Sequence, residues 1–295
     1  MKVMHPGRAT TALFADTVRT RVFFLFVSLL AIPCFAQERP AAKVSFNAGT
    51  IPATMPGQHK FIKDAHVKTA EGKAWDMSYL VHLPNDYAAT KDKKPLFIYL
   101  CGNTHQGSDL TGMLNEGPAM YLNEVQKLRE YFPFVGLFPQ PPEGMRWDTP
   151  GMDDATVAII EKIISVYRID SDRVYITGSS MGGKGTWIVA LKAPKMFAAI
   201  SPMSSVAVEP NRAAKLLKHV PMWLVVGSDD GGYFDGTKEM YKAVHDGGGD
   251  AKLTVIPNGG HEACRLYYPE PKFYDWLLTH KRGELKDAGK KSPPP

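Results

Sequence analysis

The stretch GSSMG places Ser180 midway between Gly178 and Gly182, in the spacing G-x-S-x-G. A β-rich run precedes this stretch and a helical pattern follows it, which is the context in which the spacing presents a nucleophile. The glycines let the backbone turn sharply without a side-chain clash, so the serine oxygen stands above a strand end. The spacing alone can arise by chance, but its placement between strand and helix favours Ser180 as a nucleophile for attack on an ester carbonyl.

A serine hydroxyl needs a histidine to take its proton and a carboxylate to orient that histidine. His261 is the best candidate base, because it lies in NGGHEA just after the final β-rich run, where glycines allow a loop to bend over the strand ends. Six other histidines fit surface, capping or edge positions better, namely His59, His66, His82, His219, His245 and His280.

The acid should lie between the serine and the histidine along the chain, since that order accompanies this kind of turn. The β-rich run ending at Gly227 is followed by the aspartates of GSDDGGYFD. Asp230 is the first choice for the acid, Asp229 is a close second and Asp235 is the third. Aspartates in such a loop also act as turn residues or helix caps, and only one acid is needed.

Negative charge on the carbonyl oxygen must also be stabilised during attack, usually by two backbone amides. The amide of Met181 is one candidate for this oxyanion hole, because it directly follows the serine. The second amide should come from the loop CGNTHQGSD, which follows an earlier β-rich run, and Asn103 is the first choice there.

Aromatic residues lie near several of these loops and could form a platform for an acyl group or a sugar. Trp147, in PPEGMRWD, is the preferred substrate-binding residue. Ordinary packing is the alternative for at least half of the aromatic set, which also contains Tyr233, Phe234, Tyr267 and Tyr268.

Two cysteines, Cys101 and Cys264, border loops of this candidate site. They can form a disulfide only if their Cα atoms come within about 7 Å of each other. Otherwise they are two buried thiols, and the sequence leaves both possibilities open.

From about residue 59, short β-rich runs alternate with longer helical patterns. This alternation predicts an α/β fold with a mostly parallel central sheet, an antiparallel N-terminal edge and helices on both faces. The edge strands are expected over residues 60–67 and 77–83, and buried strands over 95–101, 134–138, 173–178, 197–200, 222–227 and 253–256. Helices are expected over residues 154–167, 181–193, 237–246 and 273–280.

The N-terminus resembles an export signal. Three arginines precede an apolar run over residues 22–32, and a small-residue cleavage site ends at Ala36. A membrane anchor is the alternative, but the run is only about half of the ~20 apolar residues that a spanning helix needs. We therefore expect cleavage after Ala36, no stable membrane anchor afterwards, and a secreted or periplasmic protein.

The chain then divides into four parts. Residues 1–36 are the predicted signal peptide, and residues 37–58 an exposed lead-in rich in Pro, Ala and Gly. Residues 59–282 form the catalytic domain, and residues 283–295 a disordered tail.

The net charge of +5 does not indicate a nucleic-acid partner. The leader and the tail each carry about +3, which leaves residues 37–280 near −1 and without the clustered Lys and Arg that phosphate binding requires. No helical pattern carries the spacing H-x-x-x-H of a metal site, and neither a metal nor a cofactor is expected. The expected partner is a small-molecule or polysaccharide-linked ester.

The stretch IDSDRVYITGSSMGGKGTW, followed by PKMFAAISPMSS, resembles the phospholipase/carboxylesterase and feruloyl-esterase-like branch of the α/β-hydrolases. The resemblance covers roughly residues 59–280. It implies a nucleophile at Ser180, a base at His261 and an acid at Asp230, and carboxylic esters as substrates, often acyl groups on plant polysaccharides or small lipid-like esters. Similar proteins carry Leu-His-Gly where this chain has LCG, so Cys101 replaces the usual histidine.

Two other functions remain as alternatives. A serine peptidase would use the same groups, but it must protonate an amide nitrogen and hold an extended substrate, which commonly needs a gating domain or long cleft. This chain has little room for either. A non-catalytic binding relative would be expected to lack part of the triad, whereas serine, acid and histidine are all present.

Overall fold

The computed structural model describes residues 43–45, 59–68, 74–108, 110 and 112–283. The predicted signal peptide and the tail beyond Gly283 lie outside these residues. In chain order the strands are β1 Lys43–Ser45, β2 His59–Lys68, β3 Ala74–His82, β4 Lys94–Leu100, β5 Val135–Gln140, β6 Ile169–Ser179, β7 Ala199–Met203, β8 Met222–Gly227 and β9 Ala251–Ile256. Within the described residues they form one sheet, in the order β1-β2-β3-β5-β4-β6-β7-β8-β9.

The N-terminal edge of the sheet is antiparallel, as the sequence predicted. β2 pairs with β3, and β3 pairs with β5, both antiparallel. β1 adds a third antiparallel strand outside β2, so the sheet begins within the predicted lead-in rather than at residue 59. Three residues are too few to show an alternating pattern, which is why periodicity could not find this strand.

The rest of the sheet is parallel. β4 lies between β5 and β6, with Ile98 opposite Leu137 on one side and Ile176 on the other. β7, β8 and β9 continue in the same direction. The carboxyl ends of β4 and of β6 to β9 therefore meet at one edge of the sheet, where loops from distant parts of the chain come together.

Four of the described helices match predicted ones, with ends shifted by a few residues. They are α3 Met152–Val166, α4 Met181–Lys192, α6 Gly232–Asp246 and α7 Pro271–Leu278. The sequence missed three shorter helices, α1 Gly117–Glu124, α2 Gln126–Tyr131 and α5 Pro210–Leu216. α1 and α5 have proline in the first turn, where a missing N–H costs nothing, and such a sequence also resembles a turn.

Helices lie on both faces of the sheet, as predicted. Gly178 of β6 faces α4, because a Cβ built there would lie 2.5 Å from the Gly182 carbonyl carbon. Its neighbour Thr177 points to the opposite face, where its hydroxyl lies 3.2 Å from that of Tyr268, just before α7. On the same face Tyr274 of α7 packs against Phe97 of β4, with ring centroids 5.6 Å apart.

These layers enclose a continuous apolar core, which includes side chains from both faces of the parallel strands. Among the described residues, no helix is long and apolar enough to cross a membrane.

Candidate active site

The carboxyl edge of the parallel sheet carries all three residues predicted for the triad. Ser180 follows β6 directly, Asp230 lies three residues after β8, and His261 lies five residues after β9. Because these strands are parallel neighbours of one sheet, their ends fall on the same side. The strand order thus brings together residues that are up to 81 positions apart in the sequence.

Ser180 sits on a strained turn between β6 and α4. Its backbone has φ 60° and ψ −121°, a conformation that costs a residue with a side chain about 1–3 kcal/mol. The flanking glycines make the turn possible, since a Cβ on Gly182 would lie 1.9 Å from the Leu100 carbonyl oxygen and one on Gly178 would lie 2.7 Å from it. The close approach of β4 therefore explains both glycines of the motif.

Asp230 and His261 form a hydrogen-bonded pair. His261 Nδ1 lies 2.7 Å from Asp230 Oδ1, and the aspartate side chain is 2% exposed while the histidine is 33% exposed. Asp229 is exposed and accepts a hydrogen bond from the Ser228 hydroxyl, and Asp235 lies exposed in the first turn of α6. Of the three aspartates considered, the structure brings only Asp230 to the histidine.

The turn at Ser180 and the loop of His261 are joined through β7. The Ser180 N–H donates to the Met203 carbonyl at 3.1 Å. The next residue, Ser204, lies beside the thiol of Cys264, and that thiol lies 3.6 Å from the His261 carbonyl oxygen. A short series of buried contacts thus connects the candidate nucleophile to the candidate base.

The two predicted oxyanion residues lie on facing segments. Met181 is the first residue of α4, where a backbone N–H has no acceptor within its own helix. The Gln106 side chain bridges the segments, because its amide donates to Asn103 Oδ1 at 3.2 Å and lies 3.7 Å from the Met181 sulfur. Asn103 Oδ1 also accepts from Arg146 at 2.5 Å.

The prediction that Trp147 binds substrate is wrong for this structure. The side chain is 1% exposed, and its indole N–H donates to the Cys101 carbonyl at 2.9 Å. Its ring packs so closely on α4 that a Cβ on Gly185 would lie 2.6 Å from it. Trp147 therefore packs between α4 and the loop that begins at Cys101, and its ring is not accessible to a substrate.

Tyr233 is the aromatic residue of the set that contacts the candidate base. Its ring centroid lies 4.3 Å from that of His261, with the planes tilted by 42°. The side chain is half-buried, so the ring covers one side of the imidazole while part of it faces solvent.

A charged group borders the site on the side of α4. Asp148 lies 2.6 Å from Lys184 Nζ and 3.2 Å from Arg146 Nε. Burial acts to raise the pKa of Asp148, but the hydrogen bond and charge of Lys184, aided by Arg146, hold it below its ordinary value. Asp148 is therefore ionised near neutral pH and offsets part of the positive charge at this rim.

The two cysteines are free thiols, which settles the alternative that the sequence left open. Both are fully buried. Burial raises the pKa of Cys264 to about 11, and it raises the pKa of Cys101 well above the ordinary value. Neither thiol is a nucleophile near neutral pH.

Sequence reasoning did not single out Glu116, a buried carboxylate behind the Cys101 loop. It stands alone in a stretch without a motif, so only the tertiary structure reveals its contacts.

A strained serine between strand and helix, with an aspartate and a histidine following later strands of a mostly parallel sheet, defines the fold as that of the α/β-hydrolases. Residues 155–263, which include Ser180, Asp230 and His261, match the family model described as "Putative esterase". The chain is also similar to a solved thermostable esterase, with a TM-score of 0.64, 25% identity and coverage of 75% of this chain and 63% of that one.

Curated relatives of similar sequence include fungal enzymes. A bifunctional acetylxylan esterase/xylanase of Neocallimastix patriciarum is 35% identical over 102 residues, which are 33% of this chain and 15% of the relative. A probable acetylxylan esterase A of Aspergillus fumigatus is 30% identical over 137 residues, 43% of this chain and 34% of the relative. The chain thus spans about a third or less of these relatives. The matches confirm the resemblance to the esterase branch.

Proposed function

We propose that this chain is a serine hydrolase of carboxylic esters, with Ser180 as nucleophile, His261 as general base and acid, and Asp230 as the orienting carboxylate. The observation that carries the proposal is the 2.7 Å contact between His261 Nδ1 and buried Asp230, at the sheet edge where Ser180 occupies its strained turn. The similarity to esterases supports the same reaction class.

The chemistry follows from these positions. With Nδ1–H donating to Asp230, the other ring nitrogen, Nε2, is the atom that takes the proton of the Ser180 hydroxyl. The serine oxygen bonds to the ester carbonyl carbon, and the resulting negative oxygen accepts from the amides of Met181 and Asn103. His261 then gives its proton to the leaving alcohol, and the C–O bond of the ester breaks.

The acyl-enzyme is released by the reverse sequence. His261 takes a proton from water, the hydroxide attacks the acyl carbon, and the proton returns to Ser180 as the carboxylic acid leaves. Asp230 stays ionised throughout and stabilises the cationic imidazole.

For the substrate we propose short acyl groups on plant polysaccharides. The names of the relatives specify acetylxylan, and the predicted export signal would place this chain outside the cytoplasm, where such polymers are found. Small acetyl esters should then be cleaved as well, because the chemistry requires only the ester.

The test compares the purified protein with Ser180→Ala on 4-nitrophenyl acetate, methyl ferulate, acetylated xylan and a peptide anilide. A matched control is Ser165→Ala, since Ser165 is an exposed serine of α3 whose hydroxyl donates to the Lys162 carbonyl of its own helix. We expect ester cleavage by the wild type and the control and none by Ser180→Ala. Undiminished ester cleavage by Ser180→Ala contradicts the assignment of Ser180 as the nucleophile. Cleavage of the anilide in preference to every ester favours the alternative that the protein is a serine peptidase.

A further inference from the structure

Behind the Cys101 loop lies a charged group that the proposed mechanism does not use. The Glu116 side chain is 0% exposed. Glu116 is the N-cap residue of α1 but makes no side-chain hydrogen bond to that helix, so capping does not explain why the carboxylate lies there. A buried carboxylate is unfavourable unless it is well paired, so its partners must explain its position.

Those partners surround both carboxylate oxygens. Oε1 accepts from the Tyr99 hydroxyl at 3.0 Å and from the Gly102 N–H at 3.1 Å, and it lies 3.3 Å from Arg265 Nη2. Oε2 lies 2.5 Å from His105 Nδ1. Burial acts to raise the pKa of Glu116, but the contacts with His105, Arg265 and the Gly102 amide outweigh it and hold the pKa below its ordinary value.

Two of these partners lie on either side of the predicted oxyanion donor. Gly102 directly precedes Asn103, and His105 follows it by two residues. We call residues 101–107 the oxyanion loop. Because the Gly102 N–H is already bonded to Glu116, it cannot serve an oxyanion. The Asn103 N–H has no acceptor within the described part of the chain, and it remains available.

Another partner belongs to a different loop. Arg265 lies four residues after His261, in the short 3-10 helix Ala263–Tyr267. We call residues 257–265 the histidine loop. The single carboxylate of Glu116 therefore contacts the segment that carries the oxyanion donor and the segment that carries the base.

We propose that Glu116 is a positioning residue that fixes the oxyanion loop through the Gly102 amide and ties it to the histidine loop through Arg265. The inference rests on the proposed function, because it assigns Glu116 a part in holding the Asn103 amide toward the reacting carbonyl. Its effect belongs to the chemical step, since negative charge develops on the carbonyl oxygen in the transition state that leads to the tetrahedral intermediate and not in the bound ester.

Two substitutions at Glu116 separate the hydrogen bond from the charge. Glu116→Leu has a similar volume but cannot accept from Gly102, so the loop loses its anchor. Glu116→Gln keeps an oxygen that can face Tyr99, Gly102 and Arg265. Since removal of an oxyanion donor costs about 10²–10³ in kcat, we expect displacement of one to lower kcat by about ten- to a hundred-fold in Glu116→Leu, with KM within about two-fold. Glu116→Gln should recover most of this loss.

The measurements must exclude simple loss of folded protein. Rates on 4-nitrophenyl acetate are therefore expressed per site titrated by burst release. A trifluoromethyl ketone, which forms a negatively charged hemiketal on the serine, should lose affinity in proportion to kcat/KM. Glu124→Gln is the matched control, because Glu124 ends the same helix, α1, and its side chain is exposed. This control should keep wild-type values.

A second route covers the case in which Glu116→Leu does not fold. A Cβ on Gly102 would lie 3.0 Å from Glu116 Oε1, so in Gly102→Ala the carboxylate is kept but must shift by a few tenths of an ångström, which disturbs the same contact. We expect Gly102→Ala to lower kcat and ketone affinity together. The inference is overturned if Gly102→Ala, or a folded Glu116→Leu, keeps the kcat per titrated site and the ketone affinity of the wild type. The activity of Ser180→Ala tests the proposed function separately. A failure of the proposed role of Glu116 can therefore be distinguished from a failure of the proposed esterase function.

Discussion

Ser180 occupies a backbone conformation that residues with a side chain rarely adopt, and the glycines around it allow β4 to approach the turn closely. The candidate base and acid need no such strain, because the 2.7 Å contact between His261 and Asp230 follows from two adjacent strand ends. The adjacent aspartate, Asp229, points away from His261, is exposed, and accepts a hydrogen bond from the Ser228 hydroxyl instead. Single-residue roles at this site therefore depend on orientation, which spacing alone could not give.

This orientation makes a specific prediction for the two aspartates. Asp230→Asn should lower kcat by about ten-thousand-fold, because an amide no longer holds the imidazole in the tautomer that accepts the serine proton. Asp229→Asn should stay within about two-fold of the wild type, since that side chain is exposed and bonds the Ser228 hydroxyl. Steady-state kinetics on one acetyl ester decide the matter, and equal losses in the two variants would contradict the assignment.

At the scale of elements, continuous apolar runs and long helical patterns could be predicted, and short helices without a clear apolar period could not. The strand Met222–Gly227 was predicted with its observed ends, because it is apolar throughout and bounded by Pro and Ser. The helix Gly117–Glu124 was missed, since it is short and begins with Gly-Pro. Trp147 was assigned to the substrate because a tryptophan beside a loop can point either way, and here it packs inward. Glu116 carried no sequence signal, because all of its partners are brought to it by the fold.

The strand-to-helix turn gives a prediction about stability. Gly182→Ala should reduce the free energy of unfolding by about 3 kcal/mol or more, because its Cβ would lie 1.9 Å from the Leu100 carbonyl oxygen and β4 must move. Gly232→Ala, at the start of α6, has nothing within 4 Å of the new Cβ. It should leave stability unchanged or raise it by up to about 1 kcal/mol. Urea unfolding measures both, and a stable Gly182→Ala would refute the packing argument.

At the scale of the whole molecule, the parallel strands place the candidate site at one edge of the sheet and the apolar core beneath it. Besides Asp230, the buried ionisable groups near this edge include two thiols and the carboxylate of Glu116, which lies against Arg265 and His105. Each of these groups gives the folded protein a property that the unfolded chain lacks, and both properties can be measured in solution.

The first property is the protection of the thiols. Cys101 and Cys264 should not react with Ellman's reagent in the native protein near neutral pH, because both are buried and burial raises their pKa values. Both should react fully in denaturant without reductant. Peptide mass spectrometry can assign the labels, and an absence of labelling in denaturant would reveal a disulfide and contradict the structure.

The second property is the dependence of stability on pH. The pKa of Glu116 is lowered in the folded protein, so its ionisation stabilises the fold fully above the unfolded value of about 4.3. That contribution is lost as the pH falls through the lower folded pKa. The difference in unfolding free energy between the wild type and Glu116→Gln should therefore shrink from about pH 6 to about pH 3. A difference that is constant over this range would show that Glu116 is not preferentially ionised when folded.

The central claim is that Ser180 carries the acyl group during turnover, and trapping that intermediate tests it most directly. The protein is mixed with excess 4-nitrophenyl acetate, quenched in acid within the first turnover, digested and analysed by mass spectrometry. The account predicts an acetyl group on Ser180, formed at the rate of the nitrophenol burst and absent from Ser180→Ala. Rapid ester turnover with no acetyl group on Ser180 would contradict it.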